Sequence, residues 1–184
     1  MWARIEDGEI VQTISSPKSI VVNHVHHPKA IFGSSWTNEE RKAIGIVPYE
    51  YSGSHGDSRF YNNSESSPVV GSDKVVITKS KSARSVSDVK KDLKKEVHRI
   101  LKGCLDRTDW VVVRKAETGK DAPADIAKWR TDLREKAAAL ETSIDSKSDI
   151  AGLEAIAAFT QEMADAGKTA SEFDDWPKDP RSSS

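Results

Sequence analysis

The stretch from Ser85 to Arg134 constrains the chain more than any other. Val86, Val89, Leu93, Val97, Ile100, Leu101, Cys104 and Leu105 recur at steps of three and four, which draws one apolar stripe along a helix. The positions between them are lysine, arginine and acid. Ser87, or Ser85 just before it, can cap the helix start. Beyond a polar connector, Asp121 is placed to cap a second helix, with Pro123 in its tolerated first turn. Ile126, Trp129, Leu133, Ala137, Leu140 and Ile144 share one side of that helix. Two amphipathic helices joined by a short connection predict an antiparallel pair. Neither helix carries the residue types of an active site.

The first eighty residues follow a period of two instead. ARIEDGEIVQTI holds two apolar-containing runs around Asp7-Gly8, a strong two-residue hairpin signal. That turn sets Ile5 opposite Ile10, Arg4 opposite Val11 and Trp2 opposite Thr13. SIVVNHVHH reads as one further strand, ended by His27-Pro28. Thr37-Asn38-Glu39-Glu40 matches a capping box, and Gly45 stands where a helix ends in a left-handed residue, so WTNEERKAIGI predicts a short capped helix. VPYEY, SRFYNN and KVVITK supply the remaining strands.

The fold class is therefore α+β. A small β-rich N-terminal domain with one short helix is expected over 1–80 and a serine- and lysine-rich linker over 81–87. A helical-hairpin domain of two to three helices follows over 88–167, then an acidic, proline-containing tail over 168–184. The third helix is expected to run from Ser148 or Asp149 to near Gly167, with Ile150, Leu153, Ile156, Ala157 and Met163 on one face.

Composition bears on partners. Hydrophobic residues make up 36% and charged residues 31% of the chain, which implies much exposed surface and a fold that leans on a partner. Residues 1–80 carry eight bases and nine acids, 81–120 twelve and six, and 121–184 eight and fourteen, giving balances of −1, +6 and −6. This self-complementary split favours homo- or hetero-oligomers. Nucleic acid is not expected as a partner, because the acidic third would repel phosphate. The lysine face of KKDLKKEVHRILK alternates with Asp88, Asp92 and Glu96, a spacing that favours intrahelical ion pairs. No run is long and apolar enough to span a bilayer, and the N-terminus lacks a leader pattern, so a soluble protein without a membrane partner is expected. Cys104 is the single cysteine, which excludes an intrachain disulfide, and its place on the stripe makes it a core residue.

Catalytic chemistry finds no footing. His24 and His26 would share a strand face, with His27 and His55 nearby, but no acid or thiolate stands at ligand spacing, and no metal is expected. ETGKDAP lacks the spacer of a phosphate loop. Asp106, Asp109, Glu117 and Asp121 lie around helix ends, where capping or solvation suits them better than acid–base work. No GxSxG elbow accompanies any serine. The reading is no enzyme and no cofactor.

The tryptophans are the informative residues. Trp110 at the end of one helix and Trp129 early in the next are expected to meet as a core pair. Trp2, Trp36 and Trp176 lie at edges and termini, where they serve either as interface anchors or as packing within the monomer.

Across 95–134, VHRILKGCLDRTDW followed by WRTDLR resembles the helical segment of tail and tail-fibre assembly proteins of tailed bacteriophages. The matched residues are Arg99, Leu101, Leu105, Asp109-Trp110 and then Trp129-Arg130, Leu133-Arg134, with Trp176-Pro177 near the C-terminus. The front part, with its hairpin and WTNEERKAIGI, also looks like N-terminal regions of phage virion proteins. The connector VVVRKAETGKDAPAD departs from the proline- and aspartate-rich one of that group. The resemblance implies a virion structural protein of the tail, in the fibre or baseplate region, made in the host cytoplasm and touching other phage tail proteins. The alternative it implies is an assembly chaperone absent from the mature particle.

Overall fold

The structure, a computed structural model, describes residues 1–182. A strand-rich N-terminal part precedes a helical part, so the chain is mixed α and β, and it divides into two compact units, 1–82 and 83–184.

The first unit is built on a sheet of six strands. β1 (Trp2–Glu6) and β2 (Glu9–Ile14) form the hairpin at Asp7-Gly8, both with positive φ, which aspartate tolerates and glycine favours. Ile5 does oppose Ile10, but a bulge between Arg4 and Ile5 shifts the register, so Arg4 opposes Gln12 and Trp2 opposes Ile14. The expected partners of Arg4 and Trp2 are each off by one. The extra residue brings fully buried Ile14 level with Trp2 and leaves Val11 48% exposed.

SIVVNHVHH is not one strand. It is a hairpin of β3 (Ile20–Val22) and β4 (Val25–His27), because Asn23 and His24 both take positive φ and form a two-residue turn. A 3₁₀ turn (Lys29–Phe32) follows, then helix α1 (Asn38–Ala43), begun by the capping box. Thr37 Oγ1 accepts from the Glu40 N–H at 3.2 Å, and the Glu40 carboxylate accepts from the Thr37 N–H at 2.6 Å. Those bonds to Thr37 hold the Glu40 carboxyl below its ordinary range. Buried Arg41 ties the helix to the preceding turn by donating from Nε to the Ile31 carbonyl at 2.6 Å and also to the Gly33 carbonyl. Gly45 ends the helix at φ +77°, and its carbonyl accepts from the Ile5 N–H at 2.7 Å.

β5 (Ile46–Gly53) pairs antiparallel with β1 and parallel with β8 (Val75–Ala83). Pro48, which has no N–H, precedes the first β5–β8 partner pair, Tyr49 and Val75. β6 (Tyr61–Glu65) and the two-residue β7 (Val69–Val70) lie along the other edge of β8. Ile14, Ile20, Val22, Ile31, Phe32 and Ile46 form one buried cluster, and Ala3, Val47 and Val75 a second.

In the second unit the expected count of two to three helices gives way to five α-helices among the described residues. These are α2 (Val86–Asp106), α3 (Trp110–Thr118), α4 (Ala124–Ser146), α5 (Ile150–Ala157) and α6 (Gln161–Asp165). Only Arg84 and Ser85 lie between β8 and α2, so most of the serine-lysine segment belongs to those two elements. α2 and α4 pack against each other and run antiparallel: Lys94 Nζ meets Asp145 at 2.7 Å, His98 faces Glu141, and Arg130 reaches Leu105. Their contact buries Val89, Leu93 and Val97 from α2, and Ile126, Leu133, Leu140 and Ile144 lie buried along α4.

The polar connector is largely helix α3, closed by Gly119 at φ +72°. Pro123, not Asp121, occupies the cap position of α4, while Asp121 pairs with Lys115 at 2.8 Å. The third helix is broken at Ala158, which is extended at ψ 133°, because Asp149 and Thr160 each accept a capping bond and so start two separate helices. The tail packs back: Phe173 is 3% exposed and donates its N–H to the Ile156 carbonyl at 3.2 Å. Its last two positions lie outside the described residues.

Gly53 has φ +75°, and a Cβ there would lie 2.3 Å from the Lys79 carbonyl oxygen; at Gly8 (φ +81°) a Cβ would meet nothing within 4 Å. Gly53→Ala should therefore destabilise the chain by about 1–3 kcal/mol more than Gly8→Ala, since both share the backbone strain and only one adds a backbone clash. Thermal melts of the two variants side by side check this, and equal losses would refute it.

Candidate functional site

The chemistry of the second unit gathers where α2 gives way to α3. The apolar stripe of α2 continues by steps of three through Leu105 to Thr108 and Val111, which are 0% and 3% exposed. The stripe thus runs through the bend rather than stopping at it. At the junction the Leu105 carbonyl already accepts from the Thr108 N–H at 2.9 Å, and a side chain from α4 adds a further donor. Arg130, 7% exposed, donates from Nη1 to the Leu105 carbonyl at 3.0 Å and to Thr108 Oγ1 at 2.7 Å. Its Nη2 donates to Asp109 Oδ1 at 2.9 Å. Burying a guanidinium is costly unless its charge and its N–H groups are met, and here a carboxylate and two neutral oxygens meet them.

This geometry corrects the tryptophan pair. Trp129 is 5% exposed, and its indole N–H donates to the Pro177 carbonyl at 2.9 Å, so its partner is the tail. Trp110 is 47% exposed and is not a member of that core. The reason is phase. With Val111 turned inward, Trp110 sits about 100° to one side and Val113 about 200° around the helix. The exposed face of α3 consequently carries Trp110, Val112 at 55% and Val113 at 53%, with the Arg114 guanidinium 5.7 Å from the Trp110 ring centroid. The continuation of the stripe to Thr108 and Val111 was the signal that could have shown this.

Leu133 is fully buried on α4. Arg134, one position on, is exposed and donates from Nη1 to the Arg130 carbonyl at 3.0 Å. Trp2 and Trp36 are half-buried against the first unit's core: Trp2 lies 4.8 Å from the Phe32 ring, and Trp36 meets His27 edge-on at 6.0 Å. Trp176 is half-buried, with its indole N–H on the Phe173 carbonyl at 2.9 Å. All three pack in part within their own unit. In the tail, Arg181 pairs with Asp179 at 2.7 Å and reaches the Arg107 carbonyl at 3.3 Å.

His24 lies in the β3–β4 turn, so His24 and His26 do not share a strand face. Among the described residues no group of three or more histidine, cysteine or acidic side chains is placed to hold a metal ion. In the first unit a recess of about 470 Å³ is lined by Asn38, Glu39, Lys42, Ala43 and Asp73, where Lys42 and Asp73 form an exposed ion pair. A groove of about 220 Å³ lies between α3 and α4, with Val111, Val112, Ala122 and Ala127 as apolar walls and Lys115, Arg130 and Arg134 as its cations.

No protein-family model, no curated protein and no solved structure matches the chain.

Trp129→Ala should cost about 3–5 kcal/mol in a denaturant melt, whereas Trp110→Ala should stay within about 0.5 kcal/mol. Arg130→Met should cost about 1–3 kcal/mol by removing the bond to buried Thr108 Oγ1 together with those to the Leu105 carbonyl and Asp109. Equal losses for the two tryptophans would refute the assignment of Trp110 to the surface. The hydrogen bonds from Arg181 hold the Asp179 carboxyl at about 2, below its ordinary 3.8. A lowered folded value means the pair's contribution is complete above pH 3.8 and is lost as pH falls through about 2. The melting-temperature difference between the wild-type chain and Asp179→Asn should accordingly be present at neutral pH and shrink across that window.

Proposed function

We propose that the chain is a non-enzymatic structural protein of a bacteriophage virion, placed in the fibre or baseplate region of the tail and working through protein–protein contact. The observation that carries the contact role is the outward face of α3. Trp110, Val112 and Val113 stand about half exposed on one short helix. Large apolar side chains grouped in this way mark interaction surfaces, and tryptophan is the residue type most enriched at the centres of such contacts. Within this reading α2 and α4 act as a helical hairpin whose task is to present α3, and buried Arg130 fixes the angle at which α3 leaves α2.

The assignment to the phage tail rests on the resemblance of 95–134 to tail and tail-fibre assembly proteins. Asp109, Trp110 and Arg130, among the residues that carry that resemblance, also build the α2–α3 junction and its exposed face. The partners are then other tail proteins, in a homo- or hetero-oligomer, and the site of action is the virion after synthesis in the host cytoplasm. No helix among the described residues is long and apolar enough to cross a membrane.

Mass spectrometry of purified particles should find the chain at stoichiometric copy number. Trp110→Asp combined with Val113→Asp should remove it from particles while leaving its melting temperature unchanged. Presence in tail precursors but absence from finished particles would instead support the assembly-chaperone reading. Absence from both would defeat the two together.

A further inference from the structure

The α3–α4 groove carries information about what its partner looks like. Its walls are Val111, Val112, Ala122 and Ala127, and its volume is about 220 Å³, below the roughly 300–1,000 Å³ usual for small-molecule sites. The space suits a side chain of another protein better than a cofactor. Its charges are Lys115, Arg130 and Arg134. Two of these are answered from within, Arg130 by Asp109 at 2.9 Å and Lys115 by Asp121 at 2.8 Å. Arg134 has no carboxylate partner among the described residues; its one described bond is Nη1 to the Arg130 carbonyl, on its own helix. Three cations against two carboxylates leave the groove one positive charge in excess, at an exposed guanidinium beside an apolar slot. A fork of guanidinium donors in that position is suited to a carboxylate, which it can hold with two parallel bonds.

Resting on the protein-contact reading above, we infer that the α3–α4 groove is the docking site for an acidic, apolar-anchored segment of a protein partner. An aliphatic side chain enters between Val112 and Ala127, and a neighbouring aspartate or glutamate pairs with Arg134. Charge complementarity selects this occupant. A basic segment would meet the unanswered positive charge, and a wholly apolar one would bury Arg134 without a partner.

The test uses the full chain with methyl-labelled valines. One probe is an acetylated, amidated synthetic peptide of alternating aspartate and leucine; the other is its lysine–leucine counterpart. The acidic peptide should shift the Val111 and Val112 methyl resonances. Arg134→Glu should weaken its binding at least about tenfold, and Arg134→Gln by less. The basic peptide should leave those resonances in place. Arg134 is exposed, so both variants should melt with the wild-type chain, which separates lost binding from lost folding. Equal binding of the two peptides, unchanged binding by Arg134→Glu, or no shift from either peptide would overturn the inference. So would sedimentation showing self-association that Arg134→Glu abolishes, which places a second copy in the groove, or retention of a short oligonucleotide there. None of these outcomes touches the particle test above, so the contact reading can survive the loss of this one.

Discussion

The second unit depends on one buried guanidinium. Just past the end of α2 Thr108 is fully buried, and its Oγ1 and the Leu105 carbonyl both accept from Arg130. An aliphatic side chain from α4 would leave them without that donor, and a lysine would offer a compact charge without a planar fork. Arginine supplies donors to Leu105, Thr108 and Asp109 from a single rigid group. The same junction turns Thr108 and Val111 inward, and the helical phase that follows leaves Trp110 and Val113 outward. The break between α2 and α3 is thus held rather than frayed, because Leu105 before it and Asp109 after it are bonded to the same side chain.

The first unit shows where local sequence chemistry is enough. The capping box at Thr37 and Glu40 and the left-handed Gly45 act over a few residues, so their identities alone fix α1 at both ends. The Asp7-Gly8 turn is equally local. The bulge beside it is not: whether Val11 or Gln12 opposes Arg4 depends on bringing Ile14 under Trp2 and onto a core made by residues far along the chain. Asn23-His24 hid a hairpin because neither residue is glycine, yet asparagine and histidine are among the residue types that adopt left-handed backbone most readily. The burial of Arg41 is not local either: it depends on the Lys29–Phe32 turn folding against it.

In the helical unit, periodicity identified the core of α2 and α4 almost residue by residue, from Val89 to Val97 and from Ile126 to Ile144. It failed at the connections. WVVVRKAETG lacks the broad apolar stripe of its neighbours because α3 buries only Val111, and a helix with one inward residue has no period to detect. The same limit applies to the candidate site: Trp129 and Leu133 were legible as core, whereas the surface role of Trp110 turned on a helical phase carried across a bend. The tail offered no period either. Phe173 and the Trp129–Pro177 bond hold it by isolated anchors, which pattern reading does not register.

The parallel pairing of β5 with β8 has a consequence for biosynthesis. A ribosome delivers β5 by Gly53, but its second edge is not matched until Val75–Ala83 has emerged, because the chain must first pass through β6 and β7. At roughly 5–20 residues per second that interval is on the order of seconds. Throughout it the nascent chain displays an open strand edge flanked by the aromatic side chains of Tyr49 and Tyr51, the kind of edge that recruits a stray strand from a neighbouring chain. Gly53 lies at the end of that edge, where the later strand comes so close that no side chain fits between them. The step most exposed to mispairing during translation is thus the arrival of β8, and it falls immediately before the ribosome begins on α2.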